Sequence, residues 1–426
     1  MKEDFLHYIW KHQMFFNNDL STTTGKKVKI AKPGLHNYNS GPDFLNSEID
    51  IDTLRWVGNV EIHVKSSDWY VHQHEEDTNY DSVILHVVWE DDVEVFDVNE
   101  NAIETIELRG LVPRELLFSF NMLMSKKEQW IPCEKSISEI DSFVFNNWKT
   151  RLYFDRLEEK SVLIHELLIR SNNDYEAVLF KLLVKNFGLK KNGEAFFSLA
   201  NSMSFSVIKK EQNDVLKLSA LLFGQAGFLG QESEGNYFKS LQIEYAYLKH
   251  KHNLFPISNG QFRFFRMRPT NFPTIRIAQL AALYHKNKRM FSVLMEIKKV
   301  EDFYKFFNVD LGVFWKTHYT FQKDSPSKIK RITKSFVDLL LINTIIPLKF
   351  NYLKSRGEVD EKEFIELLRQ LKPEKNSIIS KFSECQIKVE NAFDSQALLQ
   401  LKNNYCAKKL CLQCSVGNVI LKKNLV

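Results

Sequence analysis

The sequence predicts an α+β fold, in which an N-terminal mixed-sheet domain is followed by a mainly α-helical region. Strand-like segments fall within residues 28–89, whereas beyond residue 142 apolar residues recur at the three-to-four spacing of amphipathic helices. Charge divides the chain at a similar place. Residues 1–130 carry 12 Lys and Arg against 23 Asp and Glu, and the remainder carries 46 against 30. We therefore expect an acidic sheet domain followed by a basic helical one.

Within the first part, the predicted order of elements is αβββαβ. Apolar residues at helix-like spacing in residues 4–16 predict the opening helix, and alternating or continuous apolar runs predict the strands. The polar segment 69–81 predicts a short helix or a loop before the last strand. The predicted strands are 28–30, 45–52, 56–65 and 82–89.

Three regions follow from these patterns. We expect an α+β domain over residues 1–130, a linker over 131–141, and a basic, mainly helical domain over 142–426. A polar break at 322–328 marks a candidate boundary inside the helical domain. We find no sequence period that would indicate a solenoid.

Composition and hydropathy indicate a globular protein that stays in the cytoplasm. The chain has 426 residues, of which 44% are hydrophobic and 26% are charged, as in ordinary folded proteins. Its N-terminal residues lack the uninterrupted apolar core and the cleavage site of a secretory signal. The apolar stretch 336–350 is interrupted by Asp338 and Lys349 and is shorter than the roughly 20 residues that span a bilayer. It predicts a buried helix, and no membrane partner is expected.

Two carboxylates stand where neighbouring strands bring them together. In the strand that ends at Lys65, the two-residue period places Glu61, His63 and Lys65 on one face of the sheet. Asp43 comes just before the preceding strand. Close carboxylates repel unless a cation lies between them, and Mg²⁺ or Mn²⁺ prefers oxygen ligands. Asp43 and Glu61 are therefore the candidate ligands of a divalent cation.

These residues resemble the motif of the PD-(D/E)XK nuclease superfamily, which is Pro-Asp, a spacer, and an acid-x-Lys triplet on the next strand. The matching residues are Pro42-Asp43 and Glu61-Ile62-His63. His63 stands where the family has lysine, and Lys65 follows on the same face. The resemblance implies metal-dependent cleavage of DNA or RNA phosphodiester bonds, with Asp43, Glu61, His63 and Lys65 as catalytic residues. His63 or Lys65 would orient or deprotonate the attacking water.

Two other interpretations of the same residues stay open. A polar sheet face could carry Glu61 and Lys65 as a cross-strand salt bridge without any chemistry. Histidine in place of the family's lysine also fits a non-catalytic nucleic-acid-binding protein that keeps the nuclease fold and has lost cleavage.

The basic second part suits a nucleic-acid partner, because Lys and Arg replace the counterions that condense on a polyanion. Its segment 263–276 interleaves arginines with phenylalanines, a combination typical of phosphate contact and base stacking. Arg266, Arg268 and Arg276 are the candidate substrate-binding residues. In the alternative interpretation, the phenylalanines belong to the core and the arginines pair with acids on neighbouring helices.

Histidines supply a competing metal site. Seven of the twelve lie before residue 131, and His72-Gln73-His74 has the His-x-His spacing found in several zinc hydrolases. The metallo-β-lactamase pattern would need an aspartate two residues after the second histidine, whereas Asp77 comes three residues after it. A His-rich zinc hydrolase is therefore the less favoured alternative. In the nuclease interpretation, His72, His74 and Tyr80 line the substrate groove.

Cysteines form a third candidate cluster. Cys406, Cys411 and Cys414 have a Cys-x₄-Cys-x₂-Cys spacing, and Cys133 in the predicted linker could supply a fourth thiolate. Iron–sulfur nucleases similar to this core also combine one distant cysteine with three clustered ones, which leaves zinc and an iron–sulfur cluster both open. Three ordinary reduced thiols on a C-terminal helix are the alternative. Cys385 lies among polar residues and belongs to neither interpretation.

The chain as a whole resembles a bacterial family described as a domain of unknown function. The resemblance spans nearly the full length and depends on several specific segments. These are residues 39–44, 58–63, 67–69, 72–74, 85–88, 222–227 and 268–279. Because this family brings no established activity, the expected cleavage of DNA or RNA depends on the site residues themselves.

Overall fold

The computed structural model of the chain describes residues 1–16, 20–125, 129–230 and 235–423. These residues form two compact units. The first comprises Met1–Trp148 together with Leu401–Val426, and the second comprises Lys149–Gln400. A six-stranded sheet lies in the first unit, and the second unit is mainly helical. The predicted α+β class, with a mixed-sheet domain ahead of a mainly helical region, is confirmed.

Six strands form the sheet of the first unit. They are β1 (Val28–Lys32), β2 (Leu35–His36), β3 (Phe44–Ile51), β4 (Leu54–Lys65), β5 (Val83–Glu90) and β6 (Thr105–Glu107). The order across the sheet is β1-β3-β4-β5-β6, and β2 also pairs with β3. The pairs β1–β3 and β3–β4 are antiparallel, whereas β4–β5 and β5–β6 are parallel. The four predicted strands are present as β1, β3, β4 and β5; β2 and β6 are too short to show an alternating pattern.

A helix and a compact connection pack on this sheet. The helix α1 (Glu3–Lys11) packs on β4 through fully buried side chains that include Phe5 and Trp10. A parallel strand pair needs a crossover connection, and the one between β4 and β5 contains α2 (Asp68–Val71) and two 3₁₀ turns. Trp69 anchors that connection by packing against Val83 and Val95.

Helices make up most of the remaining chain. In the first unit α3 (Arg114–Ser125) follows β6, and α4 (Ser142–Arg170) begins there and continues in the second unit. The helices of the second unit are α5 (Tyr175–Phe187), α6 (Leu189–Asn201), α7 (Phe205–Glu211), α8 (Val215–Gln225), α9 (Asn236–Lys251), α10 (Pro273–Lys286), α11 (Met290–Glu296), α12 (Val300–Phe306), α13 (Val313–Thr317), α14 (Lys334–Leu340), α15 (Ile346–Arg356), α16 (Glu361–Arg369), α17 (Ser377–Glu384) and α18 (Ala392–Gln400).

The C-terminal residues belong to the first unit. The last helix, α19 (Ser415–Lys422), packs on α3, and the π-helix Leu401–Cys406 lies in the same unit. The structure therefore divides the chain differently from the expected domains 1–130 and 142–426. An apolar helical pattern shows which face of a helix is buried, but it does not show which domain covers that face. The polar segment 322–328 lies inside the second unit.

One long apolar run of the second unit joins α14, the π-helix Leu341–Ile345 and α15. By length and composition alone, this run of 23 residues with a mean hydropathy of 1.3 could cross a membrane, and 67% of its most apolar stretch is buried within the structure. Lys160 donates hydrogen bonds to the Ile342 carbonyl and the Asn343 side chain inside it. Burial lowers the pKa of the Lys160 amine to about 7.

Candidate metal site

Four polar side chains meet on the sheet of the first unit. Glu61 and His63 lie two residues apart on β4, so they point to the same face. His72 and His74 come from the connection between β4 and β5. Between them, Gln73 adopts a left-handed backbone conformation with φ of 59°, which is uncommon outside glycine and often occurs at functional sites. We call Glu61, His63, His72 and His74 the histidine cluster.

The donor atoms of the histidine cluster are spaced like the corners of a metal coordination shell. Glu61 Oε1 lies 3.5 Å from His63 Nε2 and 3.4 Å from His74 Nε2. His63 Nε2 lies 3.1 Å from His72 Nδ1, and one nitrogen from each of the three histidines lies within 4.8 Å of the others. Tetrahedral ligation with bonds of about 2.0–2.1 Å sets neighbouring donors about 3.4 Å apart. The three histidines could therefore hold one ion, and Glu61 lies next to two of them.

The cluster is buried except at His72. The exposed fraction of the side chain is 1% for His63, 6% for Glu61 and 10% for His74. His72 is exposed. A water molecule or a substrate would therefore approach along His72.

Aromatic and imidazole neighbours fix the orientation of the ligating rings. The fully buried His86 on β5 places its Nε2 2.9 Å from His63 Nδ1. If His63 binds an ion through Nε2, its Nδ1–H donates to this nitrogen, which selects the ligating tautomer. The His74 ring stacks on Tyr80 with 3.7 Å between the ring centroids and lies edge-on to Trp69. These contacts hold both rings toward the centre of the cluster.

Asp43 adjoins the cluster through Glu61. The Asp43 backbone N–H donates to Glu61 Oε2, and Asp43 Oδ2 accepts the backbone N–H of Ile62. The same Oδ2 lies 3.1 Å from His7 Nε2 on α1. Burial disfavours the charged imidazole, but Asp43 outweighs burial and raises the pKa of His7 above its ordinary value. Glu61 thus presents Oε1 to the histidines and Oε2 to the main chain, whereas the Asp43 carboxylate faces His7.

Burial shifts the proton affinities of two members of the cluster in opposite directions. Burial, and then the neighbouring charge of Asp43, raises the pKa of Glu61 well above its ordinary range. Burial and the nearby imidazoles, His86 foremost, lower the pKa of His63 to about 2. His63 is therefore neutral at physiological pH and keeps a lone pair. A divalent cation at the centre would favour the ionised form of Glu61.

Two other sequence-predicted residues occupy different positions around the cluster. The Lys65 amine lies 3.4 Å from Asp92 Oδ2 and is half exposed, so it does not contact the cluster. Among the described residues, the alternative interpretation's ion pair between Glu61 and Lys65 is not formed, because Lys65 pairs with Asp92 and Glu61 faces the histidines. Tyr80, expected in a substrate groove, supports the ring of His74. His72 and His74, expected in the same groove, are themselves part of the donor set.

The three candidate arginines of the second unit fall into two groups. Arg266 and Arg268 line a surface pocket of about 320 Å³ together with Lys190 and Lys191 at the start of α6. Arg276 is instead buried, with its guanidinium 3.5 Å from the centre of the Phe336 ring. It donates hydrogen bonds to the side chains of Gln279 and Asn271. Only the first two arginines are placed to meet a ligand from solvent.

The four cysteines of the predicted cluster lie together in the first unit. Cys133, Cys406, Cys411 and Cys414 are buried and line one small cavity. Cys385 follows α17 in the second unit.

Several neighbours of these sites were not predicted from the sequence. His7 belongs to the opening helix, and only the packing of α1 on the sheet brings it to Asp43. His86 lies opposite Glu61 across the parallel pair of β4 and β5, and its only signal in the sequence is a histidine inside the apolar run 83–89. Lys190 and Lys191, which line the basic pocket, are adjacent in the sequence, and this pair of positive charges was the sequence feature that could have indicated them.

The fold and the histidine cluster together define an α+β protein with three imidazoles and one carboxylate grouped on a mixed sheet, all buried except His72. The chain belongs to the family described as protein of unknown function (DUF2851), whose profile matches residues 3–377. The predicted full-length family resemblance is therefore confirmed. No curated protein and no solved structure matched the chain. The functional argument accordingly depends on the site residues.

Proposed function

We propose that the first unit is a metal-dependent hydrolase that cleaves phosphodiester bonds of DNA or RNA. Glu61, His63, His72 and His74 hold its metal ion. The observation that carries this proposal is the closeness of their donor atoms: His63 Nε2 lies 3.1 Å from His72 Nδ1, and Glu61 Oε1 lies 3.5 Å from His63 Nε2 and 3.4 Å from His74 Nε2. The buried carboxylate of Glu61 is costly beside these rings unless a cation or a proton neutralises it.

The donor set favours a transition metal over magnesium. Mg²⁺ selects oxygen ligands and retained waters, whereas imidazole suits Zn²⁺ and other first-row ions. Three imidazoles and one carboxylate therefore favour Zn²⁺, and of the Mg²⁺ and Mn²⁺ expected from the two carboxylates they favour Mn²⁺. When bound, such an ion supplies a water of lowered pKa or polarises a phosphoryl oxygen.

The sheet supports a nuclease among the hydrolases. Asp43 directly precedes β3, and Glu61 lies on β4, antiparallel to it, with β5 parallel on the other side. This arrangement resembles the PD-(D/E)XK core, in which the acidic residues occupy the same strands. The sequence departs from that pattern at His63, which takes the lysine position and joins the donor set. We do not assign a catalytic role to Lys65, because Asp92 holds its amine.

His7 and Asp43 are the candidates for proton transfer. Their side chains lie 3.1 Å apart next to Glu61, so a protonated His7 would form an ion pair with this carboxylate. An imidazole in such a pair can donate a proton to a leaving oxygen and recover it from water. Asp43 acts in this scheme as the group that orients His7, and its contacts with Ile62 and Glu61 fix its own position.

Substrate phosphates are assigned to the basic pocket of the second unit. Arg266, Arg268, Lys190 and Lys191 face one pocket, and its remaining lining residues are uncharged. Lys191 also donates to the carbonyls of Phe265 and Arg266, which fixes the loop that carries the arginines. Such contacts are independent of base sequence and supply most of the salt-dependent affinity for nucleic acids.

One observation favours a second candidate, a nucleic-acid-binding protein without catalysis. Glu61 and the three histidines supply four donors, and a tetrahedral ion bound by four protein ligands has no open position for water. In that case the ion would fasten the connection between β4 and β5 to the sheet. The two candidates differ in whether the bound metal supports turnover.

The experiment compares the wild type with His74→Ala and with a matched control, His12→Ala, which replaces an exposed histidine of the same unit outside the cluster. Each protein is stripped with a chelator, reloaded with Mn²⁺, Zn²⁺ or Mg²⁺, and mixed with single- and double-stranded DNA and RNA. We expect cleavage with Mn²⁺ or Zn²⁺ by the wild type and by His12→Ala, and none by His74→Ala.

The amount of bound metal separates the two candidates. If the wild type binds one equivalent more than His74→Ala but cleaves nothing, the non-catalytic candidate holds. If both proteins bind the same amount of metal, the histidine cluster is not a metal site and both candidates lose their basis.

A further inference from the structure

Four of the five cysteines converge in the first unit although they are far apart in the sequence. Cys133, Cys406, Cys411 and Cys414 line a single cavity of about 10 Å³, with Leu123, Pro132, Tyr405, Leu410 and Gly417 completing its wall. All four side chains are buried. We call these four residues the cysteine cluster. A cavity of this size is about the volume needed for one water-sized occupant, so it fits a single ion and no organic ligand.

Three separate turns present the sulfurs to this cavity. Cys133 lies in a turn, and its own backbone carbonyl accepts the N–H groups of Ser136 and Ile137. Cys406 ends the π-helix Leu401–Cys406, and Cys411 begins the 3₁₀ turn that leads to Cys414.

The turn from Cys411 to Gly417 is shaped to receive a thiolate. Cys414 directly precedes α19, so its side chain lies next to the first backbone N–H groups of that helix, those of Val416 and Gly417. A side chain at position 417 is excluded, because its Cβ would lie 2.1 Å from the Cys411 carbonyl oxygen. Main-chain donors aimed at a sulfur stabilise its charged form and are the usual outer partners of a metal thiolate.

We propose that the cysteine cluster binds one zinc ion through four thiolates, independently of the histidine cluster. Soft thiolate donors in a closed shell select zinc, and four protein ligands without an open position define a structural site. The ion ties the C-terminal segment that begins at Leu401 to the turn at Cys133. Nothing in this proposal depends on nuclease activity.

Zinc binding requires a rearrangement of the four side chains. A zinc–sulfur bond of about 2.3 Å sets the sulfurs about 3.8 Å apart. Among the described residues, three histidines have ligand atoms within 4.8 Å of one another, but no three of the cysteines do. The sulfurs therefore stand wider than in the bound state and close on the ion by rotation of the cysteine side chains, which have one torsion each.

The test measures metal in the full-length wild type, in Cys411→Ser, and in the matched control Cys385→Ser, whose cysteine lies in the second unit. We expect the wild type and Cys385→Ser to hold one zinc that Cys411→Ser lacks. Replacement of zinc by Co²⁺ gives a second readout that also serves if Cys411→Ser fails to fold. Thiolate-bound Co²⁺ absorbs through sulfur-to-metal charge transfer, which imidazole and carboxylate ligands do not produce.

The cobalt spectrum distinguishes the two clusters. His74→Ala should keep the charge-transfer band, and Cys411→Ser should lose it while its circular dichroism stays that of the wild type. Absence of the band in folded, cobalt-loaded wild type would overturn the proposal. So would iron with inorganic sulfide in place of zinc in protein purified without oxygen.

Discussion

The histidine cluster and the cysteine cluster lie in the same compact unit, yet they differ in assembly and in access to solvent. The histidine cluster comes from one strand and the connection that follows it, and His72 leaves it open to solvent. The cysteine cluster joins residues that precede and follow the second unit, and all four of its thiols are buried. An open donor group can exchange water or substrate, whereas a sealed one can only hold structure. We therefore assign chemistry to the histidines and stabilisation to the cysteines.

The largest expected effect is the loss of turnover in Glu61→Gln. An amide keeps the shape of the carboxylate but removes its charge and weakens its metal bond. We expect metal affinity and turnover to fall by more than the about 10–100-fold that the loss of an outer partner costs. Metal affinity is measured by competition with a chelating dye, and turnover is measured on the substrate that the wild type cleaves.

Lys65→Ala is the matched comparison for this variant. Lys65 lies on the same strand face, but its amine is held by Asp92, so turnover should stay close to that of the wild type. If Lys65→Ala lost as much activity as Glu61→Gln, the lysine would have the role implied by the nuclease motif. The catalytic group would then include Lys65, which lies outside the histidine cluster.

A smaller effect is expected from His86→Ala. His86 contacts His63 Nδ1 at 2.9 Å from a fully buried position and selects the tautomer that leaves Nε2 for the metal. Its removal should lower metal affinity by about 10–100-fold without removing a ligand. Equal metal affinity in the wild type and His86→Ala, with both folded, would show that the histidine cluster does not depend on this outer partner.

The sequence predicted the strands of the histidine cluster better than its chemistry. Alternation on β4 placed Glu61 and His63 on one face, because the two-residue period is a local property of a strand. The same period placed Lys65 with them, but it could not show that Asp92 holds the amine. His72 and His74 were noted for their spacing, yet their turn toward β4 depends on the left-handed Gln73 and on the packing of Trp69, neither of which is visible in a pattern.

Long-range packing explains what the sequence left open elsewhere. The spacing of Cys406, Cys411 and Cys414 suggested a ligand group, but only the return of the C-terminal residues to the first unit brings Cys133 to them. Arg276 shared its motif with Arg266 and Arg268 and was expected to bind substrate. Its position inside α10 places it in the core, where Phe336 covers its guanidinium.

A more modest effect separates substrate binding from the metal cluster. In Arg266→Ala and Arg268→Ala, loss of one phosphate contact should reduce the log–log salt slope of binding by about one per arginine. Turnover at saturating substrate should stay unchanged, since neither residue belongs to the first unit. The control is Arg356→Ala, because Glu358 already pairs with that arginine. Salt slopes equal to that of the wild type would show that the two arginines do not contact phosphates and that the basic pocket does not bind the substrate.

The smallest expected effect concerns the sealed character of the cysteine cluster, and it is read from thiol reactivity. The chain has five thiols, of which Cys385 is partly exposed and the other four are buried. Reaction with a thiol reagent requires an accessible thiolate, so burial and metal ligation both protect a cysteine. In metal-loaded protein we expect one thiol to react quickly and Cys385→Ser to remove that fast phase. All five should react after chelation in denaturant. If any member of the cysteine cluster reacted as fast as Cys385 in the loaded protein, this cluster would be as open as the histidine cluster, and access to solvent would no longer separate the catalytic group from the structural one.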